Sequence, residues 1–160
     1  MNNRKSSNKW LYLVLFFTVA LGIASCDRKI VYHHYEHTSL DGWEKEDTLT
    51  FAVRPMSQRT VMRGDVELRI DDSYPFQSLS LIVEQTVWPA CHVRRDTVDC
   101  QFTTSDGNML GQGITLYQYQ FPLPDITLDE NDSLSLRIYH NMRRETLTGI
   151  ADVGIRLTAY

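Results

Sequence analysis

The densest set of residues able to do chemistry is Tyr32-His33-His34-Tyr35-Glu36-His37. Three imidazoles and a carboxylate within five positions are the donor types that hold zinc or copper. The spacing works against it. On an extended chain neighbouring side chains point to opposite faces, so His33 and His34 diverge. The order also differs from the helical His-Glu-x-x-His arrangement of metalloproteases. No metal is expected, and the segment reads as a solvated strand. The acidic stretch Asp125 to Asp132 could offer calcium oxygens from Asp129, Asn131 and Asp132, but it lacks the loop spacing and glycine of an EF-hand. It reads as a polar hairpin turn.

Catalytic sets are equally thin. No serine sits in a nucleophile-elbow context. Asp71 and Asp72 are adjacent, which suits a turn better than a general acid and base pair. Gly111-Gln112-Gly113 joins no strand to a helix, so a dinucleotide loop is excluded. No catalytic residue and no cofactor are expected. The aromatic residues Trp43, Trp88, Tyr117 and Tyr119 could form a platform for sugar rings, which keeps a glycan-binding module as the alternative function. Tyr117 and Tyr119 share the phase of Phe121, which favours the core.

Cysteine chemistry divides in two. Cys91 and Cys100 are an even pair, expected to form a disulfide in an oxidising compartment, with two buried thiols as the alternative. Cys26 stands apart, at the end of an apolar run from Trp10 to Ala24 that follows Arg4, Lys5 and Lys9. Fifteen apolar residues fall short of the roughly 20 that span a bilayer. A basic start, a short apolar run and small residues before a cut describe an export signal. Ile23-Ala24-Ser25-Cys26 resembles the lipobox of bacterial lipoproteins. That resemblance implies cleavage before Cys26 and acylation of its thiol and amine, with palmitate among the acyl groups. Several acyl chains hold a soluble domain at a membrane where one chain does so only marginally.

The elements that must carry these residues are strands. Leu49, Phe51 and Val53 alternate with polar neighbours, as do Val66, Leu68 and Ile70, then Leu79, Leu81 and Val83. Tyr117, Tyr119 and Phe121, then Leu134, Leu136 and Ile138, and finally Val153, Ile155 and Leu157 continue the pattern. A period of two with one polar face marks half-buried strands. Adding residues 29–35 and 98–102 gives about eight. Turn residues at 71–75, 105–108 and 129–132 separate them. The expected fold is an all-β antiparallel sandwich, with a barrel as the alternative. Three parts are expected: 1–25 as signal peptide, 26–42 as lipidated N-terminus with a first strand or tether, and 43–160 as the sandwich domain. The first 25 residues hold three of the 16 bases and none of the 20 acids, leaving 13 against 20, a formal charge of −7. That balance disfavours nucleic acid.

Several stretches taken together carry a family resemblance. Tyr139 to Leu157, "YHNMRRETLTGIADVGIRL", with "DDSYPFQSLSLIV", "DTLTF", the early Trp43 and the lipobox, resembles the GldH family of gliding-motility-associated lipoproteins. Met142, Arg143, Gly149, Asp152 and Gly154 fall on its motif. The resemblance implies a membrane-anchored cell-envelope lipoprotein of structural or interaction type, held by lipid on Cys26 and working with other envelope proteins. Asp27-Arg28-Lys29 lacks the acidic run associated with surface export in some similar lipoproteins, which favours the periplasmic side, and the expected location is the outer membrane. Within the motif, Ile150 falls on the opposite parity to Val153, Ile155 and Leu157. A β-bulge produces such a slip, and Gly149 or Gly154 would allow it. Arg143 is expected to be fixed by Asp152, orienting the last two strands.

Overall fold

The computed structural model describes residues 29–160, so residues 1–25 and Cys26 lie outside the described residues. The strands are β1 (Ile30–His37), β2 (Trp43–Glu44), β3 (Leu49–Val53), β4 (Thr60–Asp71) and β5 (Ser78–Trp88). They continue as β6 (His92–Gln101), β7 (Leu116–Leu128), β8 (Ser133–His140), β9 (Thr146–Leu147) and β10 (Ile150–Ala159). Two open four-stranded sheets form, in the orders β1-β10-β4-β7 and β3-β8-β5-β6, with β2-β9 as a small third pair. Every pairing is antiparallel. This is a sandwich rather than a barrel, because each sheet keeps two edge strands.

The alternation anticipated from sequence is what fills the space between the sheets. Val66, Leu68, Ile70, Val153, Ile155 and Leu157 face Phe51, Leu81, Val83, Leu136 and Ile138, and all are buried. Each such aliphatic side chain contributes roughly 1.5–3 kcal/mol when removed from water. The 129–132 turn is closed by the Asp132 amide on the Asp129 carbonyl, with Asn131 at φ 67°. Asn accepts that left-handed conformation more readily than most residues.

The parity slip in the last strand is present. Register between β10 and β4 shifts between Ile150 and Asp152, so Ile150 and Val153 both face inward despite their odd spacing. One extra residue on the bulged strand explains it.

The strands also give the sandwich two distinct ends. Lys29 accepts from the Ala159 amide at the end where β10 finishes, β4 starts and β7 reaches Leu128. The opposite end gathers His37, Asp71, Leu116 and the β2-β9 pair. β4 spans roughly 40 Å between them, at 3.4 Å per residue.

At that second end Trp43 is fully buried, with its indole N–H donating to the Asp47 carbonyl at 3.0 Å. Its ring meets the His140 imidazole edge to face at 5.4 Å. Both His140 ring nitrogens are buried without a hydrogen-bond partner. Burial holds this imidazole below its ordinary pKa, outweighing the nearby Trp43 and Glu145 carbonyls. The unfolded chain therefore takes the proton more readily. Stability contributed by neutral His140 is complete above about pH 6.5 and declines as pH falls through that value. Urea unfolding at pH 7.5 and at pH 5.5 should show a loss at the lower pH that His140→Leu reduces, while an unchanged loss would assign it to other groups.

Candidate functional site

The end of the sandwich remote from Lys29 carries a groove with a cavity volume of about 350 Å³. Its walls are the β4–β5 turn and the long connection from β6 to β7. The turn forms because Asp71 accepts from the Ser73 amide at 2.8 Å and the Ser73 hydroxyl at 2.6 Å, an Asx turn. Pro75 follows with its fixed φ. Tyr74 then lies over the core, its ring edge to face with Phe102 at 5.4 Å and its hydroxyl donating to the Ser78 carbonyl at 3.0 Å. Burial pushes the Tyr74 hydroxyl well above its ordinary pKa, so it stays a donor. Phe102 packs in turn on Tyr119, with centroids 4.8 Å apart.

Gly149 fixes this turn from below. Its carbonyl accepts from the Asp71 amide at 2.9 Å. Its φ is +82°, and a Cβ there would stand 2.3 Å from the Tyr74 nitrogen. Only glycine combines that backbone with that approach. A residue of the family-like motif is thus the support of the groove.

Two other motif residues, Asp152 and Gly154, lie on the outer face of the first sheet. Gly154 sits between Tyr35 on β1 and Glu67 on β4. The Tyr35 ring crosses the space a Cβ would fill, 2.7 Å from that position, and its hydroxyl donates to Glu67. Arg69 caps the ring, its guanidinium carbon 4.0 Å from the centroid. His33 Nε2 lies 2.8 Å from Glu67 and Arg156 at 3.6 Å. Burial alone would raise the Glu67 pKa. Hydrogen bonds from Tyr35 and His33, with the charges of His33 and Arg156, outweigh it and hold the carboxyl below its ordinary range. Burial, with that same hydrogen bond, pushes the Tyr35 hydroxyl up to about 12. Together these contacts tie edge strand β1 across β10 to β4.

Several expectations are corrected here. Asp152 does not hold Arg143. Its cross-strand neighbours are His37 on β1 and Arg69 on β4, and both engage it, Arg69 at 3.4 Å. Arg143 is exposed in the β8–β9 connection, while Met142 packs on the core. The disulfide is not formed, as Cys91 and Cys100 are both free thiols. Cys91 lies in the β5–β6 turn and Cys100 near the far end of β6. Nine extended residues separate them by roughly 30 Å, against the 4.4–6.8 Å between Cα atoms that a disulfide needs. Cys100 is buried, and that burial pushes its thiol pKa up.

The remaining candidates are dispersed. His33 and His37 share the outer face, while His34 turns to the other side and meets Phe51 edge to face. No group of three His, Cys, Asp or Glu among the described residues is disposed to hold a metal ion. Asp132 accepts from the Asp129 amide, and Arg59 lies 3.4 Å from Asp129, so this turn's acids serve the turn. The aromatic platform is not assembled. Trp43 and Tyr119 are buried, Tyr117 packs on the core, and Trp88 lies at the Lys29 end. Sequence reasoning passed over Tyr35, Glu67, Arg69, Phe76, Thr103 and Met109. Only the alternation of β4, which puts Asp65, Glu67 and Arg69 on one polar face, signalled any of them.

Three substitutions probe this arrangement in chemical unfolding. Gly149→Ala should lose on the order of 3 kcal/mol through strained φ and the clash with Tyr74. Gly154→Ala should lose about 1–3 kcal/mol by displacing Tyr35 from Glu67, and much less in a Tyr35→Ala background. Arg143→Ala should stay within about 0.5 kcal/mol, as an exposed side chain without structural partners does. A larger loss would restore a structural role for Arg143.

Comparison with known proteins agrees with the motif. The family model described as GldH lipoprotein matches residues 30–157. A protein of Christiangramia forsetii, "Gliding motility lipoprotein GldH homolog", is 28% identical over 153 residues, covering 90% of this chain and 92% of its own. "Gliding motility lipoprotein GldH" of Flavobacterium johnsoniae is 27% identical over 150 residues, covering 89% and 93%. Among solved structures, a CocE/NonD family hydrolase from Staphylococcus aureus aligns with a TM-score of 0.43 at 8% identity, over 82% of this chain and 34% of its own. That likeness is too low to carry an argument. With its family model spanning β1 to the last turn of the ladder in β10, this chain belongs to the GldH lipoprotein family.

Proposed function

We propose that this protein is a cell-envelope lipoprotein of the gliding-motility type that works by binding, not by catalysis. Cys26 becomes the N-terminus after cleavage and carries the acyl chains. The domain then faces the periplasm from the outer membrane and holds envelope proteins in place. The observation that carries this reading is the polarity of the domain. The described chain starts at Lys29, at one end of the sandwich, and the groove lies at the other. Three residue steps join Cys26 to Lys29, a reach of at most about 11 Å. A domain so tethered has one end against the bilayer and offers the opposite end to partners. The family motif serves that arrangement, since Gly149 supports the remote end and Gly154 ties down the strand that follows the anchor.

Cys26→Ser tests the anchor. Metabolic labelling with a palmitate analogue and membrane fractionation should show label on the wild type in the outer-membrane fraction and none on the variant, which appears unanchored. Labelled variant, or wild type recovered without lipid, would overturn the reading.

A further inference from the structure

The groove at the remote end has features that the anchored reading alone does not use. Its floor is apolar, built by Ile70, Tyr74, Phe102 and Tyr117, and its mouth carries Phe76 and Met109, both partly exposed. Leu110 and Ile114 in the β6–β7 connection and Leu116 at the start of β7 are exposed apolar side chains as well, outside the lining of the groove. Exposed apolar side chains at the mouth of a groove, as Phe76 and Met109 are, mark contact surfaces more often than chance exposure. One polar atom sits within the wall. Thr103 Oγ1 is buried and has no hydrogen-bond partner. With almost no accessible surface, that hydroxyl belongs to the wall itself and offers no contact to a ligand. The rim is acidic. Asp71 and Asp72 border the groove, no lining residue is basic, and Asp72 is exposed with no ion-pair partner among the described residues.

We propose that this groove binds a segment of an envelope protein that inserts an apolar side chain flanked by lysine or arginine. The proposal rests on the anchored reading for its choice of occupant. Lipid of the anchoring membrane is excluded by position, since the groove lies roughly 40 Å of strand away from the tethered end. A second copy offers apolar side chains beside bases at Trp88, Val93 and Arg94, but that turn lies at the tethered end. Two copies on one membrane cannot bring it to each other's far end. A protein partner remains, and the charge of the rim selects its flanking residues.

The test uses the full acylated lipoprotein in vesicles of neutral phosphatidylcholine. Two fluorescent heptapeptides serve as probes, one with a central leucine between lysines and one with it between glutamates. The lysine peptide should bind at least 10-fold tighter, and Asp72→Asn should weaken it several-fold. Phe76→Ala should reduce it at least 10-fold, with circular dichroism unchanged because Phe76 is partly exposed. The Met109 methyl resonance should shift on binding in detergent. Equal affinity for both peptides, or affinity unaffected by Asp72→Asn and Phe76→Ala, would overturn the proposal. So would groove-dependent self-association, or docking of the groove onto peptide-free vesicles by the unlipidated Cys26→Ser protein. Peptide binding in detergent does not require the anchor, so its failure is distinct from failure of Cys26 acylation.

Discussion

One close approach organises this molecule: the backbone of Gly149 beneath the turn at Tyr74. Two strands that are distant in sequence, β4 and β10, lie side by side, and the turn that leaves β4 shares the end of the sheet with the turn that enters β10. The Asp71 amide donates to the Gly149 carbonyl there, and no room remains for a side chain. Immediately after it, the register shift at Ile150 to Asp152 sets the faces of β10. Val153, Ile155 and Leu157 then face the core, and Asp152, Gly154 and Arg156 face outward.

The outward set shows how a charged surface can hold a fold together. Glu67 and Asp152 are almost fully covered although they lie on the solvent side of their sheet. Tyr35, Arg69 and His33 lie across them, and the missing Cβ at Gly154 gives the tyrosine its path. A buried carboxylate without such partners would be strongly destabilising. With them, the first strand after the proposed lipid site is tied across β10 to the centre of the sheet. Tension applied at the tether thus meets cross-strand contacts as well as backbone ladders.

Much of the fold was legible because the core is filled by residues of one parity. Six of the eight long strands contain alternating runs, residues 29–35 and 98–102 mark parts of the other two, and the parity of Ile150 disclosed the bulge. Pairing across the sequence was not legible. Arg143 and Asp152 are opposite charges nine residues apart, yet Asp152 meets its cross-strand neighbours His37 and Arg69 instead. Cys91 and Cys100 looked close in sequence, but extension along β6 carries them apart. β2 and β9, two residues each, are too short to show a period. The groove escaped notice because its residues come from three stretches, and the unpaired state of Thr103 exists only in the folded chain.

The central claim is that Gly149 holds the groove-forming turn in place, so the family motif is structural support for the remote end. Amide hydrogen exchange in wild type and in Gly149→Ala measures this directly. The account predicts that the variant loses protection at Asp71 and Tyr74, while Val66 and Leu68 in the middle of β4 keep theirs. Unchanged protection at Asp71, or an equal loss throughout both sheets, would contradict it.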